Sequence, residues 1–593
     1  MSLTIPPPKS RPLWLGQRFF REKVFLGDLY ILLMLGLVLG GIVLSARRWT
    51  EALTPAITIN LSFEAIPLYA FYSLSRALIA YGLSLAFTLV TGYAAARNRT
   101  AERLILPLLD IGQSIPVLGF LPSLVLGLVA LFPHSNLGLE LACILMVFTG
   151  QVWNMTFGFY ASLKGIPQNY VELGKLLRFS MWQRFWRLEL PFAAHHLAWN
   201  SLMSMAGGWF FMTVCEAFTL SGRQFRLPGL GSFMAEAMMR HDRWALIAGF
   251  LAMVLLIVTM DFLVWRPIVS WTERFRVDGG EIQILGKTWV EALLERSRIV
   301  DFLNHVFQDV ASEPQHFTHT KKLKISFRGL RTLVDPVILH RQLKCVGWMV
   351  KGVIFFLLVV VVCKLRPFVY LFMSLSVADL QWIVYGTAMT LMRVICAVFI
   401  ATLWTVPFGI WVGLSARRVA VFQPMIQVAA SFPAPMLYPL AISILATLHL
   451  PFGFISTVLM MLGVQWYILF NILAGINSIS SDLRDSFCLF QASRFQTWRL
   501  LYLPAVFPSL VTGWITAAGG AWNASIVAEF MEYDGAILQT AGLGALINKA
   551  TAEGKFSLLA GSLTAMILVV IGLNETVWRK LYKVATSRFR IEV

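Results

Sequence analysis

Few residues in this sequence are arranged as a catalytic or metal site would require. Gly286-Lys287-Thr288 has the ending of a phosphate-binding loop, in which a lysine and a hydroxyl contact nucleotide phosphates, but Glu281 occupies the place of that loop's first glycine. The six cysteines form no close pair, and the two small histidine clusters come without Cys or carboxylate partners at metal-ligand spacing. We therefore predict that the chain is not an enzyme and holds neither a metal nor a cofactor.

Charged residues within apolar segments are a second set of candidates. Arg76 and Arg393 fall inside two long apolar segments, and Glu216 and Glu529 lie near the ends of two others. Charges within a membrane are costly and often line a pathway, so the arginines could attract an anion. Snorkelling of the arginines to the outer interface is an equally weighted alternative. The glutamates could line the same pathway or cap a local helix.

Two Ser-x-Pro tripeptides interrupt other apolar segments. Ser114 with Pro116, and Ser431 with Pro433, predict helix breaks at matched depth. Breaks of this kind are tolerated in a membrane where they face a cavity or another helix. These four residues are therefore candidates for the gate of a pathway.

These residues occur in pairs because the sequence contains an internal duplication. Residues 172–191 return as residues 485–504, at an offset of 313 positions, and farther upstream the offset is 317. A repeat of this length indicates a fused dimer of one unit rather than a solenoid. The paired positions include Arg76 with Arg393, Pro116 with Pro433, Gly150 with Gly463, Ser180 with Ser493, Glu216 with Glu529 and Trp265-Arg266 with Trp578-Arg579.

Composition places both copies in a bilayer. The chain is 58% hydrophobic and 13% charged, with a mean hydropathy of +0.70, which is too apolar for one water-soluble core. We predict an all-α polytopic membrane protein with about 12 transmembrane helices, each of roughly 20 residues, arranged as two parallel six-helix repeats. The predicted spans lie near 28–46, 72–96, 105–131, 138–162, 192–220, 244–265, 346–363, 382–414, 421–448, 452–476, 505–531 and 556–577.

The predicted division of the chain follows from these spans. Residues 1–27 form a cytoplasmic N-terminal segment, 28–266 the first repeat, 267–345 a cytoplasmic linker with an amphipathic helix, and 346–593 the second repeat. Lys and Arg are more frequent on the side that this topology places inside, which predicts cytoplasmic N- and C-termini. The net charge of +18 then needs no nucleic-acid partner, because the basic residues flank apolar spans instead of forming a binding cluster.

The duplicated segment is a polar, basic interruption between apolar helices and carries a motif. An acidic residue, an aliphatic residue and a closing Leu-Pro pair recur at the same spacing in both copies. These positions are Glu172, Leu188 and Pro191 in the first copy and Asp485, Leu501 and Pro504 in the second. The pattern resembles the EAA loop of the membrane subunits of binding-protein-dependent ABC importers, and the second copy is similar to the nitrate, sulfonate and taurine branch.

The motif's glycine is replaced in both copies, by Arg178 and by Gln491. Glycine permits a positive φ at a turn between two short helices, whereas Arg or Gln is uncommon in that conformation. We therefore expect the turn either to be reshaped or to be displaced by one residue.

A stiff loop with aromatic side chains could dock into a groove of a soluble, ATP-hydrolysing partner. An interfacial loop with aromatic and basic lipid anchors is the alternative, but it does not account for two matched copies. Besides the six motif positions, the candidate coupling residues are Ser180, Trp182 and Phe185 in the first copy and Ser493, Phe495 and Trp498 in the second.

The resemblance implies a type I ABC importer-like fold in the bacterial cytoplasmic (inner) membrane, with each half surrounding part of one pathway. It further implies two copies of a cytoplasmic ABC ATPase, an extracytoplasmic solute-binding protein and a small anionic solute such as nitrate, a sulfonate or bicarbonate. A secondary transporter of the major facilitator type, also built from two six-span halves, and a non-transporting membrane scaffold are the alternatives. Neither has an evident need for two matched docking loops.

Overall fold

The computed structural model describes residues 57–275 without 221–222 and residues 372–588 without 478, 480, 534 and 535, together with parts of 27–51 and 290–299. The predicted span 346–363 and most of the predicted linker 267–345 lie outside the described residues. Of the predicted span 28–46, a short apolar helix at Gly27–Gly36 is described.

Within the described residues, each half contains the same succession of ten α-helices and one two-stranded β-hairpin. The first half consists of α1 (Ile66–Arg97), α2 (Arg99–Ser114), α3 (Leu121–Leu131), α4 (Leu137–Lys164), α5 (Gln168–Leu176), α6 (Met181–Arg184), α7 (Leu190–Glu216), β1 (Ala217–Leu220), β2 (Arg223–Arg226), α8 (Leu230–Met239), α9 (Arg243–Met260) and α10 (Arg266–Glu273). The second half consists of α11 (Val377–Gly413), α12 (Ala416–Ser431), α13 (Ala434–Ala446), α14 (Phe452–Asn477), α15 (Ser481–Leu489), α16 (Arg494–Thr497), α17 (Leu503–Ala528), β3 (Phe530–Tyr533), β4 (Ala536–Gln539), α18 (Leu543–Glu553), α19 (Phe556–Leu573) and α20 (Arg579–Arg588).

Short π-helical segments also recur at equivalent places, before α7 and α10 in the first half and before α17 and α20 in the second. A π-segment inserts one extra residue into a helical turn, and such insertions are often found at functional sites. The four segments are Phe185–Glu189, Asp261–Trp265, Trp498–Tyr502 and Asn574–Trp578.

The helices are those of a polytopic membrane protein, as predicted. In the described part of the chain, 7 helices are long and apolar enough to cross a membrane, or up to 8 if the bent pair α12 and α13 is one span. The seven contain α1, α4 and α9 of the first half and α11, α14, α17 and α19 of the second; α7, the equivalent of α17, packs against α4 in the same bundle. The all-α membrane fold is confirmed, apart from the two hairpins.

The helix breaks predicted at Pro116 and Pro433 are present within the predicted spans 105–131 and 421–448, and α12 meets α13 at 90°. The predicted spans 192–220 and 505–531 end early, because α7 and α17 stop at Glu216 and Ala528 and the chain turns into a hairpin. In each hairpin the strands are antiparallel, with Ala217 opposite Arg226 and Phe530 opposite Gln539.

Small residues allow the membrane helices to approach closely. A Cβ added at Gly92 of α1 would lie 2.8 Å from the ring of Phe159 in α4, and one at Gly409 of α11 would lie 2.7 Å from Ile472 in α14. Helices in lipid gain little from the hydrophobic effect, so close packing at small residues is a main source of their association. The two equivalent helix pairs are therefore joined in the same way.

Residues at the helix breaks of each half pack against a helix of the other half. The ring of Phe432, at the break between α12 and α13, lies 4.7 Å from that of Phe250 in α9 of the first half. In the opposite direction, Gly119 between α2 and α3 packs so closely against Leu563 in α19 that an added Cβ would clash with that side chain. The two halves are thus interlocked around the centre of the molecule.

Candidate functional site

The two duplicated loops share one backbone conformation. Each consists of a nine-residue helix (α5 or α15), a tight turn, a four-residue helix (α6 or α16) and a π-segment that runs into a long membrane helix. At the turn, Arg178 and Gln491 both have φ of 49°. The expectation that the turn is reshaped or displaced is wrong, because both residues adopt the left-handed conformation that glycine would favour.

Serine side chains fix the start of the second short helix in each loop. The backbone N–H of Gln183 donates to Ser180 Oγ over 3.2 Å, and the backbone N–H of Ser180 donates to Gln183 Oε1 over 3.0 Å. Ser493 and Gln496 form the same reciprocal pair in the second copy, at 3.3 and 2.8 Å. This capping box satisfies two backbone donors that a helix start otherwise leaves unpaired, so it stiffens both loops.

The predicted aromatic anchors divide into two classes. Trp182 and its equivalent Phe495 are exposed, with relative accessibilities of 47% and 73%. Phe185 instead packs inward with an edge-to-face contact to Tyr93 of α1 at 5.2 Å, and Trp498 packs on the core of the second half. The first pair is exposed at the surface of the loops, whereas the inward pair holds its loop to the bundle.

The remaining motif residues are placed at matched positions. Glu172 and Asp485 are exposed on α5 and α15. Leu188 and Leu501 lie within the π-segments, where Leu188 is half-buried and Leu501 is buried. Pro191 and Pro504 occupy the second position of α7 and α17. Proline is well tolerated there, because the first turn of a helix has no intrahelical partner for its N–H.

Sequence reasoning missed an apolar surface at the tip of each loop. Leu176 and Leu489, at equivalent positions, are exposed to 80% and 82%, and Leu177 and Phe490 are exposed beside them. Their equivalence under the 313-residue offset was visible in the sequence. Their exposure was not, because it depends on the turn that follows them.

A buried carboxylate ties the first loop to the bundle. Glu189 is fully buried and pairs with Arg184 of α6, at 2.6 Å, and with Arg97 at the end of α1. The second half has no such clamp, because Thr497, Tyr502 and Leu414 occupy the equivalent positions. A neighbouring contact links α2 to α4: Tyr160 and Lys164 donate to Glu102 at 2.6 and 2.9 Å, and these hydrogen bonds lower the pKa of Glu102.

The intramembrane arginines lie in buried ion pairs. Arg76 is 1% exposed, and its guanidinium donates to Glu140 at 2.6 and 2.8 Å, to Glu216 at 2.8 Å and to the carbonyl of Pro228 at 2.9 Å. Arg393 donates to Glu529 and to Thr540 Oγ1, both at 2.8 Å. Neither side chain reaches the outer interface by snorkelling, and neither lines the central cavity. In place of these two interpretations, the structure shows each arginine in a buried ion pair with glutamate.

Glu216 and Glu529 act as local caps, one of the two roles considered for them. Glu216 Oε2 accepts from the backbone N–H of Gly231 in the first turn of α8, at 2.7 Å, and Oε1 accepts from Ser73 Oγ, at 2.6 Å. Glu529 accepts equivalently from Gly544 in α18 and from Thr390, both at 2.8 Å. A carboxylate at a helix N-terminus is stabilised by the unpaired N–H groups there.

A central cavity lies between the halves and is lined by equivalent positions from both. It is bounded by the helix breaks, through Val117 on one side and Phe432 with Ala434 on the other, and by Trp153 and Trp466. Its described lining contains no charged side chain. Of the predicted gate residues, Ser114 and Ser431 end α2 and α12, Pro116 and Pro433 begin the next turn, and none of the four lines the cavity.

Residues 88–265 and 405–577, together more than half of the chain, match the family described as binding-protein-dependent transport system inner membrane component. The chain belongs to this family. Because the family is matched once in each half, the protein is an internally duplicated permease, as the sequence repeat predicted. The family is one of transport components rather than of enzymes, and its match agrees with a multi-pass protein of the inner membrane.

The permease is similar to curated transport proteins over part of its length. It is 29% identical to the taurine transport system permease protein TauC of Escherichia coli over 164 residues, which are 28% of this chain and 56% of TauC. It is 24% identical to the nitrate import permease protein NrtB of Leptolyngbya laminosa over 151 residues (26% of this chain, 53% of NrtB) and 24% identical to the bicarbonate transport system permease protein CmpB of Synechocystis over 165 residues (28% and 54%). The chain thus spans about half the length of these relatives.

Proposed function

We propose that this permease forms the translocation pathway of an ATP-driven importer and is coupled to a separate ATPase through its two loops. The observation that carries the proposal is the pair of loops with one shared backbone, each presenting an exposed aromatic side chain at the same position. A transporter that takes energy from a soluble partner needs a stiff contact with that partner. The capping boxes and inward anchors supply stiffness, and Trp182 and Phe495 supply the contact.

The docking surface of each loop combines apolar and charged groups. Leu176 with Trp182, and Leu489 with Phe495, form an apolar tip, and the exposed acidic residues Glu172 and Asp485 lie on the preceding helices. Aromatic residues that fill a pocket supply most of the energy of many protein interfaces, while charges at the rim adjust specificity. Because there are two loops, we propose two ATPase subunits per chain.

The proposed solute is a small anion delivered by an extracytoplasmic binding protein. This part of the proposal is supported by the functions for which the similar permeases are named, which are transport of taurine, import of nitrate and transport of bicarbonate. The family description itself refers to binding-protein-dependent transport. The loops and both termini would then face the cytoplasm, with residues 28–266 and 346–593 as the two repeats and 267–345 as the linker.

The test is affinity purification of the tagged full chain in mild detergent, followed by identification of co-purifying proteins. We expect an ATPase at about two copies per chain, and we expect its recovery to be lost when Trp182→Ser and Phe495→Ser are combined. Trp244→Ser is the matched control, since Trp244 is an aromatic residue of α9 that is 75% exposed but lies outside both loops. A chain that purifies alone after crosslinking, and transports on an ion gradient without ATP, would indicate a secondary transporter.

A further inference from the structure

The corner between α11 and α12 carries two arginines without a carboxylate partner. Arg417 is exposed and Arg418 is half-buried, and neither side chain forms an ion pair or a hydrogen bond with another residue that the structure describes. Arg418 instead places its guanidinium over the indole of Trp411, 4.7 Å from the ring centroid. Gly413 packs so closely on Ile476, at the end of α14, that an added Cβ would clash with that side chain. The corner therefore lies beside the start of the second loop.

Acidic residues are absent from the sequence around this corner. No Asp or Glu occurs between Asp379 and Asp482, a stretch that contains α12, α13 and α14. The first half differs at the equivalent place, because Glu102 in the first turn of α2 stands where the second half has Val419. Glu102 accepts hydrogen bonds from two side chains of α4. Positive charge that the protein leaves unpaired attracts an anion from outside the protein.

Aromatic rings lie beside the arginines, and they too are specific to the second half. The ring of Trp411 lies 5.4 Å from that of Phe422 and 6.0 Å from that of Phe408. Tryptophan is enriched where membrane helices reach the lipid headgroups, and Trp411 is 46% exposed near the end of α11. Because the first half builds the same helices without this cluster, the fold does not require it. At the offset of 317, residues 408, 411, 417, 418 and 422 correspond to Thr91, Ala94, Thr100, Ala101 and Ile105.

The helix face that carries Arg418 continues as an apolar surface. Arg418, Val421 and Met425 follow one another at intervals of three and four residues on α12, so they lie on one face. Val421 and Met425 are 59% and 62% exposed. A cation, an exposed indole and an apolar stripe match the phosphate, the glycerol region and the acyl chain of a phospholipid. A soluble anion would contact the arginines alone.

We propose that this corner binds a phospholipid with a net negative charge. Arg417 and Arg418 contact the headgroup phosphate, the indole of Trp411 lies beside the glycerol region, and an acyl chain follows the apolar stripe of α12. Basic residues at the end of a membrane helix attract anionic lipids, and guanidinium groups form strong hydrogen bonds with phosphate oxygens. The lipid would bind whether or not the loops dock an ATPase.

Photo-crosslinking in vesicles gives a readout that is specific to this corner. The full chain is reconstituted into phosphatidylcholine vesicles that contain a trace of a probe lipid, either phosphatidylglycerol or phosphatidylcholine, with a diazirine in its acyl chain. Labelled peptides are identified by mass spectrometry. We expect the anionic probe to label residues 408–425 on the order of tenfold more than the zwitterionic probe, because each cation near an anionic headgroup favours its binding about fivefold. Residues 91–108, the equivalent part of the first half, should show little excess.

Two pairs of substitutions separate this corner from other basic residues at the membrane surface. Arg417→Gln with Arg418→Gln should remove the excess labelling of residues 408–425 by the anionic probe. The matched control is Arg99→Gln with Arg103→Gln, which removes two exposed arginines from the start of α2 and should leave the excess unchanged. Arg417→Gln alone keeps the test informative if the double variant does not fold, and it should reduce the excess several-fold.

Equal labelling of residues 408–425 by the two probes, an equally large excess in residues 91–108, or an excess that persists in a folded double variant would each overturn the proposal. Inorganic phosphate, added at constant ionic strength, tests the other source of a phosphate group. It should leave the excess unchanged, and loss of the excess would show that the arginines bind a soluble anion instead of a lipid.

Discussion

Arg76 and Arg393 occupy equivalent positions but neutralise different numbers of carboxylates. Arg76 serves both Glu140 and Glu216, whereas in the second half Gly453 stands at the position of Glu140 and Arg393 faces Glu529 alone. A buried pair adds little net stability, but removing one partner is costly because an uncompensated charge stays buried. The consequences of losing the two arginines should therefore be unequal.

The first prediction concerns these two residues. Arg76→Met should lower the free energy of unfolding by about 3–5 kcal/mol, since it leaves two buried carboxylates without a counter-charge. Arg393→Met should lower it by less, because only Glu529 loses its partner. The measurement is thermal unfolding of each purified variant in the same detergent. An equal loss in the two variants, or a larger loss for Arg393→Met, would contradict the unequal pairing.

The second prediction concerns the turn of the first loop. An L-residue in the left-handed conformation carries a strain of roughly 1–2 kcal/mol, which glycine relieves at an entropic cost of about 0.5–1 kcal/mol. Arg178→Gly should therefore leave the loop as stable or slightly more so, whereas the β-branched Arg178→Val should destabilise it. The measurement is the rate of chymotrypsin cleavage at the exposed residues of the loop.

Arg187→Val is the control for this series, because Arg187 is exposed in the π-segment of the same loop and has an ordinary φ. It should leave the cleavage rate unchanged. If Arg178→Val is cleaved no faster than this control, the left-handed turn does not constrain the loop.

At the level of residues, the sequence predicts which positions matter better than it predicts their partners. The duplication pairs Arg76 with Arg393 and Glu216 with Glu529, and apolar flanks place all four in the membrane. Nothing in the local pattern connects Arg76 with Glu140, which is 64 positions away and lies in another helix. The positive φ of Arg178 was likewise unforeseen, because residue type alone argues against it.

Elements differ in how strongly their sequences specify them. The long apolar helices were predicted from length and hydropathy, and the helix breaks at Pro116 and Pro433 from proline alone. The hairpins were missed because each has strands of only four residues and its first strand comes immediately after a long apolar helix. A prediction from hydropathy therefore assigns the residues of β1 and β3 to the end of the preceding helix. The second hairpin does carry a turn signal in the sequence, Asp534-Gly535 between β3 and β4, which the span prediction overlooked.

The third prediction concerns the clamp on the first loop. Glu189→Gln removes the charge that holds Arg184 of α6 and Arg97 of α1, and a hydrogen bond to a charged group contributes about 1.5–3 kcal/mol. Residues 181–189 should therefore exchange amide hydrogens on the order of tenfold faster, as local opening becomes easier. Hydrogen exchange read by mass spectrometry is the measurement.

The matched control is Tyr502→Phe, at the equivalent position of the second loop. It removes no ion pair, so exchange in residues 494–502 should stay as in the parent. Unchanged exchange in both loops would mean that Arg97, Glu189 and Arg184 do not order the first loop, and the inward packing of Phe185 would then be the remaining candidate for that role.

For the whole molecule, the duplication predicted two similar halves but not how they are joined. The constant separation between the two copies in the sequence shows which residues are equivalent. It does not show which helix of one half contacts the other half. The structure supplies that: the break at Phe432 packs on Phe250, and the break at Gly119 packs on Leu563. Each half completes the other's wall of the central cavity, so the duplicated unit cannot enclose the cavity alone.

The last prediction follows from this interlocking. Two co-expressed chains, residues 1–311 and 312–593, should assemble in the membrane, since the division falls in the predicted linker and leaves every described contact between the halves intact. A tag on one chain should recover the other. Phe250→Ala with Phe432→Ala should reduce that recovery, because each substitution removes a large side chain from the shared packing. The cavity left by the buried Phe432 costs about 3–5 kcal/mol, and that left by the partly buried Phe250 costs less. Phe63→Ala is the control, as Phe63 is 66% exposed. Recovery of two inserted but separate chains would show that the linker, and not the crossing helices, joins the halves.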